Sequence, residues 1–148
     1  MVIVLDTNVI VSGLLSPSGP PAEIINHWET DRFEVVTSSP LLNEFERVLH
    51  YPRVQRYLKR SPDEVAAFVN RFSRVTTVVE PQLTLEVIKE DPDDNRVLES
   101  AADGRASYIV SGDEHLLDLK KYNEIVILKP AEFLTFLDLG QGYPSPMP

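Results

Sequence analysis

Four carboxylates stand where side chains from different parts of the chain could work together. Asp6 ends the apolar run Val2-Ile3-Val4-Leu5. Asp113 follows the apolar stretch around Ile109 and Val110, after Ser111-Gly112. Glu44 lies in the first turns of a helix expected after the strand at residues 33–37, and Asp94 in the first turn of a helix expected after residues 75–79. In a parallel sheet, the carboxyl ends of strands and the starts of the following helices share one edge, and that edge is where open α/β sheets bind ligands. Carboxylates crowded there repel one another, which raises their pKa values and costs stability. A divalent cation such as Mg²⁺ or Mn²⁺ relieves that repulsion. Hard cations of this kind take oxygen ligands, activate water and stabilise a leaving oxygen in phosphodiester cleavage.

Helical periodicity separates one of these acids from its neighbour. At about 100° per residue, Val97, Leu98, Ala101 and Ala102 share a face with Asp94 near its centre, and Asp93 lies well off it. Asp94 is therefore expected to point inward, and Asp93 to face solvent or cap the helix. A first-turn acid also gains from the helix dipole, so its position alone does not make it catalytic. The same test does not choose between Glu44 and Glu46, which flank the stripe of Leu41, Leu42, Phe45, Val48 and Leu49 almost symmetrically. Asn8, Ser38 and Ser111 lie just past strand ends, where they could hydrogen-bond the acids or serve only turn chemistry.

The elements that must position these residues alternate. The short, continuous apolar run ending at Asp6 reads as a strand buried on both faces. Further strands are expected at residues 33–37, 75–79, 108–111 and 125–128. Helices are expected at residues 9–15 and 22–30, from Ser39-Pro40 to about Leu49, and from Ser61-Pro62 through Phe72, where Ser61 and Glu64 have capping-box spacing. Others run from Asp91-Pro92 to about Gly104, from Gly112-Asp113 through Leu119, and from Lys129-Pro130 to about Leu137. Residues 83–88 carry no decisive pattern. Five strands between helices imply a mostly parallel sheet covered on both faces, in one domain over residues 1–137, with a loose tail over 138–148.

Composition narrows the function classes. At 148 residues, with 43% apolar and 25% charged content, the chain reads as one globular domain. The absence of cysteine excludes thiolate metal sites, disulfides and cysteine nucleophiles. No apolar run is long enough for a membrane span, and the first run, ending in Asp6, is not read as a signal peptide, so a cytoplasmic location is expected. A net charge of -9 argues against binding nucleic acid through bulk charge, but not against a local basic rim.

Asp6-Thr7-Asn8 after a hydrophobic strand, Glu44 in Leu41-Leu42-Asn43-Glu44-Phe45, Asp94 in Asp91-Pro92-Asp93-Asp94-Asn95, and Asp113 in Val110-Ser111-Gly112-Asp113 together resemble the PIN domain family, in particular its VapC-like toxins of toxin–antitoxin pairs. The resemblance covers residues 1–137. It implies a five-stranded parallel sheet in a three-layer α/β/α sandwich and a Mg²⁺- or Mn²⁺-dependent endoribonuclease. It implies Asp6, Glu44, Asp94 and Asp113 as catalytic, metal-holding carboxylates, taking Glu44 over Glu46, with Asn8 and Ser111 in support. An RNA substrate, a protein antitoxin and a homodimer or higher oligomer also rest on the resemblance alone.

The RNA-facing rim has a compositional candidate. Residues 44–74 carry seven basic residues against four acidic ones, +3 in a chain of -9, with Tyr51 and Tyr57 interleaved. Arg47, Arg53 and Arg56 are its leading RNA-binding candidates, since arginine and aromatics can hold a phosphate backbone and stack bases. A solvated, salt-bridged helix pair is the plainer reading of any one arginine. His27, His50 and His115 lack zinc-site spacing and read as surface or packing residues, and Trp28 as core or dimer interface.

Other classes fit less well. A phosphoacceptor module would use Lys129 but wants an acid pair after the first strand, and a phosphatase wants aspartate where Asn8 stands. Nucleotide-binding folds need a glycine-rich loop there, and only Gly13 is present. A silent binding module would not need intact acids at all four positions.

Overall fold

The computed structural model describes residues 1–58 and 61–142. Lys59 and Arg60 of the basic segment, and the tail from residue 143, lie outside the described residues. The chain forms a six-stranded sheet in the order β3-β2-β1-β4-β6-β5. The strands are β1 (Val2–Leu5), β2 (Glu34–Ser38), β3 (Thr77–Val79), β4 (Tyr108–Val110), β5 (Lys121–Tyr122) and β6 (Ile125–Leu128). All neighbouring pairs are parallel except β5 with β6. β5 is the strand beyond the five expected. It is two residues long, too short for any periodicity to show, and Asn123 turns the hairpin at a left-handed φ of 52°.

Alternate residues of β1 divide the molecule into layers. Ile3 and Leu5 face one core with Val9 and Ile10 of α1 (Thr7–Leu15), Ile24 of α2 (Pro20–Glu29) and Phe45 of α3 (Ser39–Leu49). Val54 of α4 (Pro52–Leu58), Phe72 of α5 (Pro62–Val75) and Phe133 of α8 (Pro130–Gly142) complete that layer. Val4 faces the other core with Val97, Leu98 and Ala101 of α6 (Asp94–Asp103) and Leu116 of α7 (Glu114–Leu119). The result is an α/β/α sandwich. Among the described residues, no helix is long and apolar enough to cross a membrane.

Local signals place most boundaries. Ser61 and Glu64 form the expected capping box, with Ser61 Oγ accepting from Glu64 N at 3.2 Å and Glu64 Oε1 from Ser61 N at 3.0 Å. α8 continues to Gly142, beyond the expected end at Leu137. α4 fills the stretch after Pro52, where the helix before it does end. The N-cap of α3 is Ser38 rather than Ser39. Ser38 accepts from Leu41 N at 3.4 Å and pairs with the Ser100 hydroxyl at 2.7 Å, so it supports α3 and α6 rather than the acids.

The chain runs from β1 outward through β2 to β3, then returns to place β4 on the other side of β1. The sheet's order thus reverses between β1 and β4. In such sheets a crevice opens at that point, outside the carboxyl ends of the strands.

Candidate metal centre

Strand β1 ends directly in the N-cap of α1, with no loop between them, and that cap is Asp6. Its backbone N donates to Val110 O of β4 at 2.9 Å, which ties it to the switch point. Its side chain is 5% exposed and well supported. Ser111 Oγ donates to Asp6 Oδ2 at 2.6 Å. The Asn8 amide, with its nitrogen toward the carboxylate, donates to Asp6 Oδ1 and Oδ2 at 3.1 and 3.3 Å. Both supporting residues expected from the sequence therefore hold Asp6.

Ser111 also organises Asp113, whose backbone N donates to Ser111 Oγ at 3.0 Å. Asp113 caps α7, its Oδ1 accepting from His115 N at 2.8 Å. Asp94 opens α6 and is 8% exposed, while Asp93 beside it is exposed, the division its helical face required. The turn before α6 is pinned by Asn95, whose amide exchanges two hydrogen bonds with the backbone of Ile88, at 2.8 and 2.7 Å. Asp91 closes the same turn, its Oδ1 accepting from Asp93 N at 3.2 Å.

Packing separates the two glutamates of α3. Glu44 is half-buried and accepts from Thr7 Oγ1 at 3.4 Å, whereas Glu46 is exposed. Asp6, Glu44, Asp94 and Asp113, together with Asp91 and Asp93, line one cleft of about 210 Å³, beside Thr7 and Asn8. No lysine or arginine among the described residues lines it.

The electrostatics follow from that crowding. Burial pushes Asp6 up to about 6, against the Ser111 hydrogen bond, and the Asp113 charge adds to the rise. Asp94 is pushed up to about 7, first by burial and then by the charges of Asp113, Asp91 and Asp6. Glu44 is raised by burial and by Asp6 and Asp93, opposed by its Thr7 hydrogen bond and by Arg47. Asp94 Oδ2 is buried and has no hydrogen-bond partner. A buried carboxylate oxygen without a hydrogen bond in an acidic cleft carries a desolvation cost that a cation can compensate. The donor set, mostly carboxylate oxygens, fits a hard divalent ion.

The structure adds His115, whose ring Nδ1 lies 3.7 Å from both Asp94 Oδ2 and Asp113 Oδ1. It was expected to be a surface or packing residue. Its one sequence signal is its place two residues after Asp113, at the start of a helix. Of the basic candidates, Arg47, Arg53 and Arg56 are exposed, with no ion pair among the described residues. Arg71 pairs with Glu29 at 3.6 Å beside a second pocket on the α2–α5 side.

The fold and site define an α/β protein with an acid-lined crevice at its switch point. The chain belongs to the PIN domain family, whose sequence model matches residues 2–115 and so spans all four carboxylates. Members of this family are generally nucleases. An uncharacterized protein of Methanocaldococcus jannaschii is 29% identical over 122 residues, 82% of this chain and 77% of that protein. A chain in the crystal structure of VapBC2 from Rickettsia felis, bound to a DNA fragment from their promoter, has a similar fold. The TM-score is 0.58 at 11% identity, covering 87% of this chain and 98% of that one.

Proposed function

We propose that this protein is a divalent-metal-dependent endoribonuclease, with Asp6, Glu44, Asp94 and Asp113 as the carboxylates that hold Mg²⁺ or Mn²⁺. The observation that carries the reading is the convergence of six acids on one cleft that no lysine or arginine among the described residues lines, with the buried Asp94 Oδ2 left without a hydrogen bond. A phosphodiester would be repelled from such a cleft unless positive charge entered with it. When bound, the ion supplies Lewis acidity to water and to a phosphoryl oxygen. The chain's own residues do the positioning. Ser111 and Asn8 fix Asp6, Thr7 orients Glu44, and the Asp113 cap holds the start of α7. The exposed Arg47, Arg53 and Arg56 would offer an RNA backbone a basic rim. Arg47 is close enough to lower the pKa of Glu44.

The same reading makes the chain the toxin of a toxin–antitoxin pair, acting in the cytoplasm, self-associating and held by a protein antitoxin. Its support is the family membership and the fold shared with a VapBC2 chain. RNA cleavage by the purified protein tests the activity, with Mg²⁺, Mn²⁺ or EDTA, and with DNA of the same sequence as control. Cleavage is expected with metal, and its loss with EDTA and in Asp6→Ala and Asp94→Ala. Wild-type protein that cuts no RNA under any divalent metal would sink the proposal. Light scattering reads the oligomeric state, and a monomer at micromolar concentration would remove self-association from it.

A further inference from the structure

Resting on the metal-centre reading above, we propose that His115 is a nitrogen donor to the ion held between Asp94 and Asp113, and that it turns the site toward first-row transition ions over Mg²⁺.

The geometry of three donors carries this. His115 Nδ1 is 3.7 Å from Asp94 Oδ2 and 3.7 Å from Asp113 Oδ1. Both distances are too long for a hydrogen bond. They match the spacing of donors that share one ion, which stand about 3 to 4 Å apart when each lies about 2.1 Å from it. Donor atoms of Asp91, Asp94, Asp113 and His115 all lie within 4.8 Å of one another. Independently, Asp94 is 8% exposed and its Oδ2, the oxygen facing the imidazole, has no hydrogen-bond partner. The His115 side chain is 43% exposed, so its ring can adjust to an incoming ion. Its backbone is already held by the Asp113 cap.

The chemistry sets the direction of selectivity. A site of carboxylates alone suits Mg²⁺, which keeps much of its water and favours oxygen. An imidazole adds little for Mg²⁺ but strengthens binding of first-row transition ions. Among the described residues, His115 is the histidine whose ring is grouped with Asp91, Asp94 and Asp113, so it is the one placed to change this preference.

Mn²⁺ is the probe. Its binding to the full chain is followed by the electron paramagnetic resonance signal of the free ion, with Mg²⁺ as competitor. Pulsed measurements then read nitrogen coupling to the bound Mn²⁺. Wild type is expected to show imidazole nitrogen coupling that disappears in His115→Ala. The preference for Mn²⁺ over Mg²⁺ should fall by about tenfold or more, as when a metal site loses one supporting group. His115→Gln, which restores an oxygen donor, should retain Mg²⁺ binding without recovering the coupling, and circular dichroism checks that both variants fold. Bound Mn²⁺ without nitrogen coupling in wild type, or an unchanged Mn²⁺/Mg²⁺ ratio in His115→Ala, would overturn the role of His115 and leave the carboxylate centre standing. Failure of wild type to bind either ion would overturn both, and that appears before any variant is made.

Discussion

Two concavities of similar size lie in this molecule and are built on opposite physical terms. The pocket between α2 and α5, about 160 Å³, is lined by Ile25, Trp28, Phe68 and Phe72. Its rings meet at ordinary distances, Trp28 to Phe72 at 5.3 Å and Phe68 to Phe72 at 6.4 Å. Its rim charges, Glu29 and Arg71, pair with each other. The cleft at the switch point holds six acids, no lining cation, and a buried oxygen without a partner. In the first region the apolar surface is packed and the Glu29 and Arg71 charges are paired. The second concentrates unfavourable charge that a bound cation or, at lower pH, protonation of its raised carboxylates can offset. Like charges crowded and partly buried in one cleft are the pattern expected of a ligand site rather than of a packed core.

Substitutions in the two regions should therefore give crossed phenotypes. The largest effect is expected from Phe72→Ala, which empties a 3%-exposed position among three rings. It should cost about 3–5 kcal/mol by denaturant unfolding, with RNA cleavage per folded molecule unchanged. A matching loss of specific activity would show that the two regions are coupled.

Asp94→Ala should do the reverse. RNA cleavage is expected to fall by about 10²–10³-fold. The metal-free protein should be no less stable than wild type, because the substitution removes a buried carboxylate crowded by Asp113, Asp91 and Asp6. A large drop in its melting temperature would mean that Asp94 is structural.

The third effect is a pH dependence of metal-free stability. Asp6 has its pKa raised from 3.8 to about 6 in the folded protein. Below 3.8 both folded and unfolded states hold the proton, and between 3.8 and 6 the folded state holds it preferentially. Unfolding then releases a proton, so this group's contribution to stability falls as pH rises through that window and is lowest above it. Metal-free wild type should thus lose about 1–3 kcal/mol from this source between pH 4 and 7.5. Asp6→Asn should make the profile shallower, with Asp94 and Glu44 retaining part of it, and raise the melting temperature at pH 7.5. Saturating Mn²⁺ should stabilise the ionised site and offset the loss. Equal slopes for wild type and Asp6→Asn would contradict the assignment.

The smallest effects should separate neighbours on α3. Glu44→Gln is expected to lower cleavage by about tenfold, and Glu46→Gln to leave it unchanged, since an exposed helix-face charge contributes little. Arg47→Ala should raise KM for RNA a few-fold, about 1 kcal/mol or less, with kcat retained. Equal effects at Glu44 and Glu46 would return α3 to the undecided state in which helical periodicity leaves it.

Much of this architecture can be read directly from the chain, because its signals are local. An apolar run ending in an acid makes β1 and places Asp6, since one buried strand needs no distant partner to be recognised. A proline-started capping box makes the start of α5, and the face shared by Val97, Leu98 and Ala101 turns Asp94 inward. Other features depend on what arrives from elsewhere in the fold. β5 exists only because β6 offers it an edge. Ser38 serves α3 and Ser100 rather than the acids, because β2 ends beside α6. Glu44 and Glu46 are equivalent on their own helix, and only Thr7 and the cleft beyond it make them different. His115 has an unremarkable spacing and becomes a candidate ligand because α6 brings Asp94 to it across 21 residues of sequence. Burial and hydrogen bonding within one element follow from sequence periodicity. Convergence between elements is a property of packing, so sequence alone identified the acids, and the tertiary structure decided which of them meet and what else stands among them.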